Sequence, residues 1–268
     1  MEPSQNERPS LIKRDEIHIH ILSLNGGSAF NPVADFLSLL TLPERRQYGL
    51  FGSENRHREF LGSRLLVRWL LAGYLEREMG EIQLIRGKRG KLFVENSTLQ
   101  FNFSHTDRMI VCSVGRRPLG IDVEKIDSSA GKGRPWPLLA ERYFSPEDYQ
   151  ILFSQPSESR ARAFFKIFTM KEAYIKALGL GLSLPLSRFT VPVPPQEPFL
   201  GPWEFFTQVL GSDEYCLAHA VHNPDRAALE YRIYGWNEER LAAILRNTDS
   251  WDGEAPTLKS HSKSGILV

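Results

Sequence analysis

Acidic residues at one place in the chain have the types and spacing needed to hold a divalent cation. Asp122 and Glu124 lie two residues apart in the strand-like run 120–124, so their side chains leave the same face of the strand. Two carboxylates on one face suit a hard cation such as Mg²⁺. An edge strand that presents acids to solvent gives the same spacing, and spacing alone favours that structural interpretation.

A third carboxylate, Glu172, lies in the apolar stripe of a predicted helix. The stripe is formed at helical spacing by Phe165, Phe168, Glu172 and Ile175. A carboxylate in such a stripe must be protonated, paired or metal-bound, because burial of a bare charge is very costly. Lys176 lies four residues later and could pair with Glu172. The structural and functional interpretations are therefore evenly balanced here.

Other polar residues could bind phosphate, although no nucleotide-binding fingerprint is present. Ser104 and His105 end an alternating strand and place donors at a turn, but a lone histidine at a strand end is more often structural. The candidate cations are Arg45, Arg46, Arg56, Arg58, Lys88, Arg89 and Lys91. They lack the order of a P-loop, and charge runs usually form a solvated face. Neither a serine-hydrolase elbow nor zinc-ligand spacing is present.

The elements that must position these residues form a mixed α+β pattern. Long helices are predicted over 54–79 and 159–178, and a shorter one starts at the Ser145-Pro146 cap. Strands are predicted over 17–22, with one buried face, and over 92–94, 99–103, 109–114, 120–124, 203–209, 215–221 and 229–236. The runs between 92 and 114 suggest an antiparallel meander. Since helix and strands recur, we expect two related subdomains, each an antiparallel sheet with a long helix.

Composition limits the class of protein. The 268 residues are 41% hydrophobic and carry 33 basic against 32 acidic side chains, a net charge of +1, so no global field predicts a nucleic-acid partner. Two cysteines, Cys112 and Cys216, are too few for a disulfide scaffold. The leader is polar, and no apolar run is long enough to span a membrane. We therefore expect a cytoplasmic protein.

Three motifs, taken in order, resemble one enzyme family. They are 101–106 (Phe-Asn-Phe-Ser-His-Thr), 120–124 (Gly-Ile-Asp-Val-Glu) and 168–177 (Phe-Thr-Met-Lys-Glu-Ala-Tyr-Ile-Lys-Ala), followed by Gly-Leu-Gly-Leu. This series resembles the 4′-phosphopantetheinyl transferases of the Sfp type over roughly 41–221. The chain departs from the family pattern at Phe168, where tryptophan is common, and at Leu92, where proline is common.

The resemblance implies a fold and an activity. The fold would be α+β, with subdomains 1–118 and 119–246 in a pseudo-twofold arrangement. Independently of the resemblance, the polar composition of 247–268 predicts a disordered tail. The activity would be Mg²⁺-dependent transfer of phosphopantetheine from coenzyme A to a serine of an acyl or peptidyl carrier protein, releasing 3′,5′-ADP. A monomer without nucleic-acid or membrane partners is expected. The two alternatives are a non-catalytic nucleotide or carrier-binding module and a Mg²⁺-dependent coenzyme A pyrophosphohydrolase.

The same resemblance assigns roles to individual residues. Asp122, Glu124 and Glu172 would hold the metal, with Glu172 as general base and Asp122 second. Lys176 would stabilise the departing phosphate. The coenzyme contacts would be Ser104 and His105 at its phosphates and Arg58 and Lys91 at the 3′-phosphate end, with Arg45 and Arg46 as looser matches. The site would lie in the cleft between the subdomains, and the carrier would dock on the loop 127–137.

Overall fold

The chain divides into two compact units that do not follow the sequence order strictly. A computed structural model describes residues 12–24, 29–30, 33–127, 136–193, 196–212, 214–246 and 257–261. The first unit comprises Met1–Ile85, Phe93–Arg116 and Ala228–Val268, and the second comprises Arg86–Leu92 and Arg117–Ala227. Most of the loop expected to receive the carrier, 128–135, lies outside the described residues.

The described elements alternate between helices and strands along the chain. The α-helices are α1 (Val33–Leu37), α2 (Leu42–Tyr48), α3 (Glu54–Leu75), α4 (Trp136–Tyr143), α5 (Pro146–Ser154), α6 (Arg160–Leu178) and α7 (Glu238–Arg246). The strands are β1 (Glu16–Ser23), β2 (Leu84–Arg86), β3 (Leu92–Val94), β4 (Gln100–Thr106), β5 (Met109–Gly115), β6 (Leu119–Lys125), β7 (Phe199–Leu200), β8 (Trp203–Leu210), β9 (Tyr215–His222), β10 (Glu230–Asn237) and β11 (Thr257–His261). The predicted α+β class is confirmed.

The first unit is built on a mixed sheet with the strand order β11-β10-β1-β5-β4. Its central strand β1 pairs parallel with β10 and antiparallel with β5, and the long helix α3 contacts β4 and β5. The prediction of one buried face for β1 is wrong. Ile17 and Ile19 are fully buried, but His18 and His20 on the other face are buried too, because Tyr74 of α3 covers them.

The second unit combines an antiparallel sheet, β6-β9-β8-β7, with the long helix α6. Helix α6 contacts β6 and β9 through a core that includes Phe165 and Met170. It ends where Gly179 adopts a left-handed conformation with φ of 64°, which glycine does without a steric cost. The sequence therefore fixes the C-terminal end of the helix that carries Glu172.

The strand pairing at 92–114, the end of α3 and the C-terminal residues can each be set against the sequence prediction. The antiparallel meander is wrong at its first strand, since β3 pairs with β2 while only β4 and β5 pair as predicted. Helix α3 ends at Leu75 because Glu76 turns left-handed, with φ of 52°. Strand β11 lies within the expected tail 247–268, whose other residues are outside the described part.

The division into units can be set beside the expected subdomains. The change of unit after Arg116 lies close to the expected boundary at 118, whereas residues from Ala228 onward lie in the first unit. The pseudo-twofold relationship stays a prediction. Among the described residues, no helix is both long and apolar enough to cross a membrane.

Candidate functional site

Two elements of the second unit carry the acidic residues. On β6, Asp122 is buried, with 3% of its surface exposed, while Glu124 near the strand end is half-buried. Their neighbours Ile121 and Val123 are buried in the core. On α6, Glu172 is half-buried. Asp122 is thus anchored by buried apolar neighbours in its strand, and Glu172 is flanked in its helix by the buried residues Lys171 and Ala173.

A lysine from α6 neutralises the carboxylate from β6. The Nζ atom of Lys176 lies 2.6 Å from Oδ1 of Asp122, and the side chains are 28% and 5% exposed. The sequence suggested Glu172 as the partner of Lys176, whereas the ion pair in the structure is formed with Asp122. Burial, with a further contribution from the charge of Asp122, raises the pKa of Glu172, and Lys176 opposes this. The charges of Asp122, Glu172 and Lys176 therefore interact with one another.

Gly120 allows the strand and the helix to approach this closely. A Cβ atom placed on Gly120 would lie 2.3 Å from the carbonyl oxygen of Ala173 and 2.3 Å from the backbone nitrogen of Ala177. Only a residue without a side chain fits between two backbones at that distance. The spacing of the acidic residues predicts no role for Gly120, although a glycine within a strand is the sequence signal for close backbone approach.

Lys91 holds the same two elements together at their ends. Its ammonium donates to the carbonyl oxygen of Leu119 at 2.8 Å and to that of Ala177 at 2.9 Å. Leu119 is the first residue of β6, and Ala177 lies in the last turn of α6. Burial lowers the pKa of Lys91 to about 8. The residue expected at the 3′-phosphate of a coenzyme thus ties the strand of Asp122 to the helix of Glu172.

The remaining expected phosphate contacts lie in the first unit and have protein partners. Nε and Nη2 of Arg58 donate to the two carboxylate oxygens of Glu238, at 3.2 and 2.5 Å. Nδ1 of His105, whose side chain is 40% exposed, lies 3.4 Å from Oε2 of Glu59. Ser104 is buried in β4. The structure thus places Arg58, His105 and Ser104 in the first unit, whereas the acidic cluster, Asp122, Glu124 and Glu172, lies in the second.

The chemistry of the acidic cluster suits a small divalent cation. Asp122 and Glu172 offer hard oxygen donors. Burial first, and the charge of Asp122 second, raise the pKa of Glu172, so part of the cost of its negative charge is repulsion from Asp122. A cation would relieve that repulsion. Among the described residues, no three His, Cys, Asp or Glu side chains form a ready group of metal ligands, and the cation beside Asp122 is the ammonium of Lys176.

Comparisons with known proteins point to one family. The sequence profile of the 4'-phosphopantetheinyl transferase superfamily matches residues 118–229, which contain β6 and α6. Over 189 residues the chain is 31% identical to the 4'-phosphopantetheinyl transferase HetI of Nostoc sp. (strain PCC 7120), covering 69% of this chain and 77% of that protein.

Two further relatives carry the same activity in their names. The 4'-phosphopantetheinyl transferase gsp of Aneurinibacillus migulanus is 33% identical over 161 residues, which cover 59% of this chain and 65% of the relative. The 4'-phosphopantetheinyl transferase Sfp of Bacillus subtilis (strain 168) is 32% identical over 160 residues, which cover 58% and 67%.

Proposed function

The chain belongs to the 4′-phosphopantetheinyl transferase superfamily, and from this we propose that it transfers phosphopantetheine from coenzyme A to a serine hydroxyl of an acyl or peptidyl carrier protein. The cluster of Asp122, Glu172 and Lys176 carries the proposal, since it combines two carboxylates with a cation in one environment. Transfer requires a proton acceptor for the serine and positive charge at the pyrophosphate, and this cluster offers both.

In the proposed reaction, the serine oxygen attacks the β-phosphorus of coenzyme A, and the bond from that phosphorus to 3′,5′-ADP breaks. Glu172 accepts the serine proton, a role for which its raised pKa is suited, with Asp122 as the second candidate. Lys176 neutralises charge on the departing phosphate. Mg²⁺ would be held by Asp122, Glu124 and Glu172, and it would supply charge neutralisation at the phosphates. These three carboxylates do not form a ready ligand group among the described residues, so they would have to come together around the ion.

The coenzyme contacts are proposed from the family resemblance. Ser104 and His105 would bind phosphates, and Arg58 and Lys91 would bind the 3′-phosphate end. Arg58 and Lys91 already hold Glu238 and two backbone carbonyls, so each would have to exchange or share these partners when coenzyme A binds. The carrier would dock near 127–137, and we propose a cytoplasmic monomer without nucleic-acid or membrane partners.

Intact-mass analysis of an apo carrier protein tests the function. With coenzyme A, Mg²⁺ and this protein, we expect the carrier to gain the mass of one phosphopantetheine group. Asp122→Ala and Glu172→Gln should abolish the gain, while Glu197→Gln, at a side chain 78% exposed, should retain it.

Three outcomes would contradict the proposal or its site. No mass gain with carriers of fatty-acid, polyketide and peptide type would refute the transfer. Release of free phosphopantetheine without any carrier would indicate hydrolysis instead. A near wild-type rate in Asp122→Ala or Glu172→Gln would show that the site residues are wrongly assigned.

A further inference from the structure

A second charged pair lies in the interior of the second unit, one residue from Glu172 in the chain. Nζ of Lys171 lies 2.6 Å from Oδ2 of Asp148, and neither side chain has exposed surface. Successive helical residues point about 100° apart, so Lys171 and Glu172 leave α6 in different directions. The Lys171–Asp148 pair is therefore separate from the cluster of Asp122 and Lys176.

The ammonium of Lys171 has three N–H bonds and meets three acceptors. Besides Asp148, it donates to the carbonyl oxygen of Leu186 at 2.8 Å and to that of Phe189. The ring of Phe189 also faces the ammonium, whose nitrogen lies 4.4 Å from the ring centroid, a favourable cation–π distance. Lys171 thus binds the segment Leu186–Phe189, whose first three residues form a short 3₁₀ helix, to helix α6.

Asp148 connects the start of helix α5 to the residues that directly follow this segment. Its Oδ2 accepts from the hydroxyl of Ser145 at 2.7 Å, and its Oδ1 accepts from the backbone N–H of Val191 at 3.3 Å. The hydroxyls of Ser145 and Thr190 lie 2.9 Å apart. The pair therefore joins α5, α6 and residues 186–191 through fully matched polar groups.

Helix α6 is consequently restrained from two directions. The backbones of Ala173 and Ala177 touch β6 at Gly120, while Lys171 binds the segment Leu186–Phe189. If α6 only packed against β6, its rotation about its own axis would depend on side-chain packing alone. The three directed hydrogen bonds of Lys171 define that rotation. Because Glu172 is the next residue in the helix, the rotation of α6 also determines the direction in which the Glu172 side chain points.

We propose that Lys171 is a positioning residue for the transfer reaction, which sets the rotation of α6 and thereby the direction in which Glu172 faces Asp122. The inference rests on the proposed function. Stability alone is a weak explanation for the pair, because buried ion pairs can often be replaced by uncharged residues at no loss of stability. A charged pair makes directed hydrogen bonds that an apolar pair cannot make, so a role in defining the geometry explains why these two residues are charged.

A double-mutant cycle separates positioning from stability. Lys171→Met and Asp148→Asn should each lower the melting temperature, because each leaves a buried charge without its partner, and the double variant should regain most of that loss. We nevertheless expect its kcat to stay at least about tenfold below wild type because of misplaced reacting groups. Its KM for coenzyme A should change by less than about twofold.

The control removes an ion pair from the surface of the same unit. Arg226→Met with Glu197→Gln deletes two charges at side chains 59% and 78% exposed, and should leave kcat and KM unchanged. If Lys171→Met/Asp148→Asn regains stability and wild-type kcat together, the pair is only structural and the inference is wrong.

A second variant decides the matter if the double variant does not fold. Lys171→Arg retains the charge that Asp148 requires but cannot reproduce the three ammonium bonds. A folded Lys171→Arg protein with lowered kcat and unchanged KM supports positioning, while wild-type kcat overturns it. Failure of the function itself is distinguishable, because then the wild-type protein would modify no carrier.

Discussion

Nζ of Lys176 lies 2.6 Å from Oδ1 of Asp122, which joins helix α6 to strand β6 across 54 positions of the sequence. Burial and the charge of Asp122 raise the pKa of Glu172, and the same ammonium opposes this rise. Lys176 therefore has two electrostatic roles in the structure. It neutralises a buried carboxylate, and it limits the cost of keeping a second carboxylate ionised nearby.

Replacement of Lys176 by methionine removes both roles with little change in side-chain length. We expect kcat for carrier modification to fall about 100-fold, because a preorganised charge that stabilises the departing phosphate is lost. Lys13→Met, at a side chain 74% exposed, serves as the control and should retain the wild-type rate. Steady-state kinetics with a titrated carrier would measure both, and equal rates in the two variants would contradict the role of Lys176.

The titration of Glu172 offers a prediction that requires no turnover. Burial and the charge of Asp122 raise its pKa above the ordinary value, so Glu172 takes up a proton at a higher pH than an exposed glutamate as the pH falls. Its pKa should rise further in Lys176→Met and fall in Asp122→Asn. Carboxyl-carbon NMR of the metal-free protein would follow each titration, with Glu172→Gln identifying the resonance. An ordinary pKa in the wild type would contradict the electrostatic cluster.

Gly120→Ala should separate the strand of Asp122 from the helix of Glu172. The added methyl group would lie 2.3 Å from backbone atoms of Ala173 and Ala177, so α6 must shift, and we expect a loss of about 3 kcal/mol in the free energy of unfolding. Transfer should also fall. Gly52→Ala is the matched control, because nothing lies within 4 Å of a Cβ atom there. Urea unfolding compares the two, and similar stabilities would refute the close-packing argument.

The local part of this fold could be predicted from sequence because its signals are local. The Ser145 cap and Pro146 start α5 where predicted, and Gly179 ends α6. The pairing between distant strands could not be predicted, because periodicity identifies a strand but does not show which strands lie beside it. Thus β10 pairs with β1 in the first unit although it follows the whole of the second unit in the chain.

The candidate site shows the same distinction between local and distant contacts. The alternation in β6 and the apolar stripe of α6 identified Asp122 and Glu172 as unusual carboxylates. Helical spacing predicts Glu172, four residues away, as the partner of Lys176, whereas in the structure Lys176 pairs with Asp122. Likewise, no sequence pattern connects Lys171 with Asp148, since their pairing depends on how α5 and α6 pack.

Stability of the first unit should depend on pH through His18, whose ring is enclosed in the sheet. Its Nδ1 lies 2.6 Å from the hydroxyl oxygen of Tyr74. Burial lowers the pKa of His18 to about 4, and Arg232 adds to this, while Glu16 and Glu230 oppose it. The folded protein thus resists a proton that the unfolded chain accepts near pH 6.5.

The sign of this linkage is that stability is present above pH 6.5 and is lost as the pH falls towards 4, by about 3 kcal/mol for His18 alone. His20, whose pKa is also lowered by burial, contributes in the same direction. Urea unfolding between pH 7 and 4 should therefore show that the free energy of unfolding changes less with pH in His18→Gln than in wild type. The difference in slope should correspond to the uptake of at most one proton on unfolding. Parallel curves would show that His18 is not held neutral in the folded state, since its replacement would then remove no differential proton uptake.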